Sequence, residues 1–189
     1  MRPRQANRLG LFLAALIFVA IGAGVFYGAQ RFISDANRVT HTNEVIALIG
    51  DIESAVHDSE SAQRGYLLTG NVSYLADYGR GRDQLPDAIT RLQKMVRDNP
   101  EQSRRVTAWR IEILRRLSQM EATLGNYRLG GLDAARRSIN HEVRQASVNI
   151  HHQAEELVAA ERELLALRAR SSHDSANLLR GLALLGIPL

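Results

Sequence analysis

The sequence predicts an all-α protein in which an N-terminal transmembrane helix is followed by an up-and-down four-helix bundle with long first and last helices. Three observations support this prediction. An uncharged run opens the chain, from Leu9 to Ala29. Apolar residues then recur every three or four positions over long stretches, which is the period of a helix face. The chain of 189 residues has only 4 Pro and 5% aromatic residues, which suits long helices better than a β-sheet core.

The uncharged run at residues 9–29 is long enough to span about 30 Å of hydrocarbon as a helix. Residues 1–8 form a basic leader, and positive charge before a span favours a cytoplasmic amino terminus. Tyr27 lies near the far end of the run, where an aromatic ring fits the membrane interface. We therefore expect everything after Arg31 to lie outside the cytoplasm.

A cleaved signal peptide is the alternative interpretation of the same run. Signal peptides have an apolar region of about 7–15 residues and end in an Ala-x-Ala-like site. This run is longer, and cleavage after Ala29 would place the bulky Tyr27 at the −3 position. The sequence favours an uncleaved anchor.

Small residues recur every four positions within the span, at Ala20, Gly24 and Gly28. This spacing lets two membrane helices approach closely and predicts a dimerisation face. The alternative is that small residues are simply common in membrane spans.

The first helix of the bundle is predicted from about Asn37 to Thr69. Its apolar face consists of Val45, Ile49, Ile52, Val56, Ala62 or Gln63, and Tyr66. Near its end, the spacing of Glu60 and Arg64 predicts an ion pair on one helix face. Gly65 predicts a close approach of another backbone, and Gly70 predicts a left-handed residue that ends the helix.

Three further helices follow. The second starts with Ser73 or Asp77 as its cap, is reset at Pro86, and ends at Asp98-Asn99-Pro100. The third runs from Pro100 to about Leu129 and stops at Gly130-Gly131, after which a short helix extends from Asp133 to Ser138. The fourth is long. Their apolar faces are Leu85, Ile89, Leu92 and Val96; Val106, Trp109, Ile113, Leu117, Met120, Leu124 and Tyr127; and Val143, Ala146, Ile150, Ala154, Leu157, Glu161 and Leu164.

The last segment, residues 177–189, is apolar apart from Arg180. It predicts the start of an incomplete second transmembrane helix, because it is too short to cross a bilayer. We therefore expect a truncated receptor that re-enters the membrane here.

The end of the first predicted helix resembles a known family. The run from Asp58 through Gln63-Arg64-Gly65-Tyr66-Leu67-Leu68-Thr69-Gly70, followed by Tyr74-Leu75 and Tyr78, is similar to the signature of CHASE3 domains. The resemblance covers about residues 37–172, and it departs from the family at Asp77, where Pro is common. It implies an extracytoplasmic helical sensor module of a bacterial inner-membrane receptor, such as a histidine kinase, a diguanylate cyclase or a chemoreceptor-like protein.

The resemblance also implies a structural role for the signature residues. They would hold the bundle together rather than carry chemistry; they are Glu60, Arg64, Gly65, Tyr66, Leu67, Leu68, Thr69, Gly70, Tyr74, Leu75 and Tyr78.

The net charge of +4 and the pI near 9.9 do not indicate a nucleic-acid partner. Acidic residues are interspersed with the basic ones, so the charges are typical of solvated helix faces rather than of one basic face. Arg80, Arg82 and Arg104 could attract an anion, but solvated faces explain them equally well. Cysteine is absent, which excludes disulfides and thiolate metal sites.

Candidate catalytic and metal motifs fail on spacing. His141-Glu142 lacks the second His of a zinc protease motif, because Gln145 stands there. His151 and His152 are adjacent and point about 100° apart on a helix. Gly79-x-Gly81 lacks the third glycine of a dinucleotide fingerprint.

Ser172-His173-Asp174 resembles a fragment of the phospho-acceptor box of histidine kinases, but the Leu-Arg-x-Pro-Leu continuation is missing. Three consecutive residues also cannot form a hydrolase triad. We expect no catalytic, cofactor or metal site, and no enzyme activity in this chain.

The leading hypothesis is therefore a membrane-anchored sensor that passes a stimulus inward by helix displacement. Its expected partners are the lipid bilayer, a second copy in a homodimer, and an unknown small-molecule or protein stimulus. The alternatives are a tethered helical scaffold that senses nothing and an interaction module for a partner protein, which predicts a large exposed apolar patch.

Overall fold

The structure is a computed structural model that describes residues 3–138 and 141–186, with side chains at 10–13, 15–138, 143, 145–171, 173–177, 180 and 181. Throughout these residues the regular structure is helical. The four helices are α1 (Pro3–Thr69), α2 (Ser73–Met95), α3 (Pro100–Ser138) and α4 (His141–Gly186). The all-α prediction is confirmed, and the predicted membrane span and first bundle helix lie within the single helix α1.

The chain divides into two compact units, and α1 and α4 contribute to both. Residues 43–162 form a four-helix bundle. Its core contains most of the apolar faces predicted for the four helices, including Ile52, Leu92 and Ile113, none of which has an exposed surface. Leu164 of the predicted fourth face is half-buried in the second unit. Trp109 is fully buried as a core residue, and its Nε1 donates to the carbonyl of Ile150 at 2.9 Å.

Contacts between helices fix their directions in the bundle. From α1 to α3, residue numbers rise together in the pairs Gln63–Met120 and Tyr66–Tyr127, so these helices run parallel. Between α1 and α4, the contacting pairs are Glu53–His151 and Glu60–Ser147, so residue numbers rise along α1 while they fall along α4. These two helices therefore run antiparallel. The bundle is therefore up-and-down, as the sequence predicts.

The turn into α3 follows the sequence prediction, whereas the stop predicted at Gly130-Gly131 is a kink inside α3, which continues to Ser138. The side chain of Asn99 accepts hydrogen bonds from the backbone N–H groups of Glu101 and Gln102, which caps the helix that begins at Pro100. Gly130 and Gly131 leave helical geometry inside α3, Gly131 at φ +67°, so the helix is kinked there.

The prediction that Pro86 resets the second helix is wrong. Helix α2 continues through Pro86, although proline cannot donate a backbone hydrogen bond. Leu85 and Ile89, on either side of it, are fully buried in the core. Packing of this face outweighs the lost bond. The start of α2 also differs, because the side chain of Asn71 accepts from the N–H of Ser73 in place of a cap by Ser73 or Asp77.

The second unit consists of residues 1–42 and 163–189, of which 3–42 and 163–186 are described. Inside it, the buried carboxylate of Asp35 accepts hydrogen bonds from Ser171 at 3.2 Å and Ser175 at 3.1 Å. Arg168 donates to Thr42. Polar contacts thus join α1 to α4 in this unit.

Helix α1 is long and apolar enough to cross a membrane, by length and composition, within Gly10–Thr69. Its most apolar window has a mean hydropathy of 2.3, and none of that window is buried within the chain. Met1, Arg2 and residues 187–189 of the two predicted terminal segments lie outside the described residues, as do the side chains of His141, Glu142 and Ser172.

Candidate functional site

The end of α1 is formed by Gly70, as predicted. Its φ of +69° lies in the left-handed region, where glycine carries no steric cost. Its N–H donates to the carbonyl of Tyr66 at 2.8 Å, which satisfies one of the last carbonyls of the helix. This turn places α2 antiparallel to α1, with Gly65 of α1 beside Tyr74 of α2.

Gly65 faces a side chain rather than a backbone. A Cβ placed there would lie 2.7–2.9 Å from the ring of Tyr74, so the glycine leaves room for that ring. The expectation of a close backbone is therefore wrong at Gly65. The close approach of α1 and α2 occurs instead at Gly81, where a Cβ would lie 3.2 Å from the carbonyl oxygen of Ala55 and 2.3 Å from Ser59 Oγ.

The apolar signature residues differ in burial. Leu67 and Tyr78 are buried, Tyr66 and Leu75 are half-buried against the core, and Tyr74 is half-buried. The ring of Tyr66 meets that of Tyr127 edge-on, with centroids 5.3 Å apart. Leu68 and Thr69 are exposed at the end of α1. The assigned structural roles of the whole set stay a prediction.

Tyr78 places a polar group inside this packed region. Burial raises the pKa of its phenol, and the nearby charge of Arg82 opposes that increase. The Arg82 guanidinium lies 5.9 Å from the ring centroid, within reach of a cation–π contact. In the described part of the chain, the hydroxyl of Tyr78 has no hydrogen-bond partner.

Glu60 lies at the centre of a polar cluster inside the bundle. Its Oε1 accepts from Arg116 Nε on α3 at 2.6 Å and from Ser147 Oγ on α4 at 2.5 Å. The side chains of Glu60 and Arg116 are each 11% exposed. We call Glu60, Arg116 and Ser147 the polar centre; it links α1, α3 and α4.

The predicted ion pair between Glu60 and Arg64 is therefore wrong. Arg64 is exposed and donates to Ser61 at 3.3 Å. Glu60 turns inward because Arg116 supplies a charged donor in a low-dielectric site, where a hydrogen-bonded charge pair is strong. Spacing along one helix cannot reveal this partner.

Two cavities flank the polar centre, and Glu60 and Ser147 line both. The first, which we call the α1–α4 groove, has a volume of about 440 Å³ and is also lined by Glu53, His57 and His151. The second, which we call the arginine cavity, has a volume of about 280 Å³ and is also lined by Arg64 and Arg116. The buried polar centre therefore borders a cavity on each of two sides, and it is the candidate site for a stimulus.

His151 on α4 contacts Glu53 on α1 at the edge of the α1–α4 groove. Hydrogen bonding and charge from Glu53, with a smaller contribution from Glu155, raise the pKa of the His151 imidazole. The pair joins α1 and α4 near the polar centre. His151 and His152 are both exposed, and among the described residues no group of three or more His, Asp and Glu could hold a metal ion.

The arginines considered as an anion site lie in exposed ion pairs. Arg80 pairs with Asp77, Arg82 with Asp83, and Arg104 with Glu101. These contacts match the interpretation of solvated helix faces.

The predicted membrane dimer face stays a prediction. Ala20 is exposed, Gly24 is half-buried, and Gly28 is buried within the chain itself. Ala20 is therefore the position that a second copy could contact most easily.

The sequence analysis missed Arg116 and Ser147. A signal was available for each, because both belong to helix faces that are otherwise apolar. Arg116 lies one turn from Ile113 and Met120, and Ser147 lies one turn from Val143 and Ile150. A charged residue on a core-facing stripe requires a partner, and Glu60 is that partner.

The fold and the polar centre define a class of protein: a helical bundle with a buried polar site that links three of its helices. The CHASE3 domain model matches residues 35–171, which is most of the chain. The chain belongs to the CHASE3 domain family. This agrees with the resemblance found in the signature segment.

A solved structure supports the same conclusion. The crystal structure of the sensor domain of the Rhodopseudomonas palustris histidine kinase HK9 is similar to this chain, with 28% sequence identity and a TM-score of 0.59. The match covers 66% of this chain and 98% of that one. No curated protein matches the chain. The chain therefore contains a sensor domain of the extracytoplasmic CHASE3 type, which is an input module and not a catalytic one.

Proposed function

We propose that this protein is the membrane-anchored input domain of a bacterial signal-transduction receptor of the histidine-kinase type. The uncharged run of α1 would anchor it in the inner membrane with the amino terminus in the cytoplasm. The bundle of residues 43–162 would then lie in the periplasm. The family match and the similarity to a histidine kinase sensor domain support this proposal.

The polar centre is the observation on which the sensing role depends. A carboxylate, a guanidinium and a hydroxyl from three helices meet where two cavities open. A stimulus that enters either cavity can change these hydrogen bonds. Because each bond joins α1 to another helix, such a change alters how α1 packs against α3 and α4.

The signal would pass inward by displacement of α1 relative to α4. Both are single helices that contribute to both units of the chain. A ligand shifts the balance between two packed states only by the difference in its affinity for them. A small shift of packed helices is an established form of such a transition. We also propose that two copies act together through the span of α1, with contact centred on Ala20, because Gly24 is half-buried and Gly28 is buried within the chain.

A chimera tests this function. The full chain would replace the input region of a histidine kinase whose output can be measured, and the variant Ser147→Ala would remove one bond of the polar centre. We expect kinase output to change about fivefold or more, since coupling between sites is typically of this size. Ser118→Ala, at an exposed position of α3, is the matched control and leaves the output unchanged. An output that is equal in both variants and the parent would contradict the proposal.

A second candidate is an interaction module for a partner protein. Leu68, Val72 and Leu129 are exposed by 74%, 71% and 90% near the end of the bundle where α1 stops. Apolar side chains that are grouped at one end of a bundle fit a protein contact. If the triple variant to Ser abolishes output while Ser147→Ala has no effect, this second function is the better one.

A further inference from the structure

Two arginines line the arginine cavity, which is partly open to solvent. Arg64 comes from α1 and Arg116 from α3, and the volume between the helices is about 280 Å³. Leu67 and Val143 supply apolar surface in the same cavity. We propose that the arginine cavity binds a small monocarboxylate with a short hydrocarbon body, which is the stimulus class of this sensor. This inference rests on the proposed function.

Charge selects a ligand with one negative charge. Among the described residues that line the cavity, Arg64 and Arg116 are positive and Glu60 is negative, so one positive charge is left uncompensated. A single carboxylate neutralises it, whereas a dianion would bring an excess charge into a partly desolvated site. A neutral ligand would leave the positive charge uncompensated.

Hydrogen-bond geometry selects a planar carboxylate. Arg116 uses Nε to bind Glu60, and a guanidinium has two further amino groups in the same plane. Those groups match the two oxygens of a carboxylate in a bidentate pair. Arg64 donates to Ser61 from Nη2 at 3.3 Å, a long bond that a ligand carboxylate can replace.

The volume of the cavity limits the size of the ligand, and its apolar walls favour a short hydrocarbon body. Ligand sites for small molecules span about 300–1,000 Å³, so this cavity belongs at the lower limit. Leu67 is buried in the core and Val143 is buried on α4, and together they offer a surface for a few carbon atoms. The ligand carboxylate would bind the two free amino groups of Arg116 beside its bond to Glu60, so binding acts directly on the contact between α1 and α3.

Calorimetric titration of the full chain in lipid nanodiscs tests the proposal. The probes are butyrate and benzoate, with butyramide and benzamide as neutral counterparts of the same shape and succinate as the dianion. We expect the carboxylates to bind and the amides not to bind. Arg64→Gln should weaken carboxylate binding about tenfold or more, because a hydrogen bond to a charged group is lost. Arg104→Gln removes an exposed arginine outside the cavity and should change nothing.

Glu60→Gln should raise the affinity for carboxylates, whereas Arg64→Gln should lower it. It raises the uncompensated charge of the cavity from one to two, so butyrate should bind several-fold more tightly and succinate should gain more than butyrate. Equal affinity for butyrate and butyramide, no binding of any probe, or an unchanged affinity in Arg64→Gln would overturn the inference.

The chimera separates failure of the site from failure of the function. If no carboxylate binds but Ser147→Ala still changes kinase output, the ligand inference is wrong and the sensor function stands. If butyrate binds with the expected dependence on Arg64 but never changes the output, the site stands and the sensor function is wrong.

Discussion

The carboxylate of Glu60 is removed from water and is compensated by donors from two other helices. Arg116 and Ser147 both bind its Oε1, and the side chain is 11% exposed. A buried charge that loses its partner costs far more than an exposed one, because its desolvation is no longer offset. The polar centre therefore makes the stability of the bundle sensitive to single substitutions.

Arg116→Met should lower the free energy of unfolding by about 3–5 kcal/mol, since it leaves the Glu60 carboxylate buried without a counter-ion. Urea denaturation of the full chain in detergent, followed by circular dichroism, measures this loss. Arg115→Met is the matched control, because Arg115 is the next residue on α3 and its side chain is 59% exposed. We expect a change of less than about 1 kcal/mol there.

The double variant Glu60→Leu, Arg116→Met removes both charges and should recover most of the loss. If Arg116→Met and Arg115→Met have the same free energy of unfolding, the ion pair between Glu60 and Arg116 does not stabilise the bundle.

His151 gives the bundle a dependence on pH. Glu53 raises the pKa of its imidazole above the ordinary value of 6.5, so folding favours the protonated form. The added stability is complete below pH 6.5 and disappears as the pH rises through the folded pKa. Comparison of thermal unfolding for the parent and His151→Gln between pH 5 and pH 9 should show a difference at the acid end that vanishes at the alkaline end. A constant difference across this range would show that the contact with Glu53 does not depend on charge.

Close packing of helices α1 and α2 depends on Gly81. A Cβ at Gly81 would lie 2.3 Å from Ser59 Oγ and 3.2 Å from the carbonyl oxygen of Ala55, whereas Gly79 has nothing within 4 Å. Both glycines lie in the same helix, two residues apart. They form a matched pair in which only one position touches the neighbouring helix.

Gly81→Ala should destabilise the bundle by about 1–3 kcal/mol, because the added methyl group forces α1 and α2 apart. Gly79→Ala should stabilise it by up to about 1 kcal/mol through helix propensity. Thermal unfolding of both variants measures the contrast. A gain in stability for Gly81→Ala would show that α1 and α2 do not approach closely at this position.

Helices and their ends were predictable because local sequence determines them. Most of the apolar faces of α1 to α4, the left-handed Gly70 and the interruption of helical geometry at Gly130-Gly131 follow from periodicity and from the backbone freedom of glycine. Continuation of α2 through Pro86 was not predictable from local rules. Burial of Leu85 and Ile89 against other helices decides it.

The candidate site was less predictable than the fold. Glu60 has Arg64 four residues away, yet its partners are on α3 and α4, far along the chain. Such pairs depend on which helix faces meet in the bundle. The same limit explains why Gly65 was assigned the close approach that belongs to Gly81.

At the scale of the whole molecule, the family match and the apolar run of α1 support an anchored sensor. The CHASE3 match covers residues 35–171, and the uncharged run at 9–29 precedes it. Basic residues before that run favour a cytoplasmic amino terminus. The central claim is that the bundle lies outside the cytoplasm while the chain stays in the membrane.

Reporter fusions after Ser171 test this claim most directly. One fusion carries an enzyme that is active only in the periplasm, and the other carries a fluorescent protein that folds only in the cytoplasm. The account predicts periplasmic activity, no cytoplasmic fluorescence, and an uncut product in the membrane fraction. Cytoplasmic fluorescence, or a shortened soluble product in the periplasm, would contradict the anchored sensor.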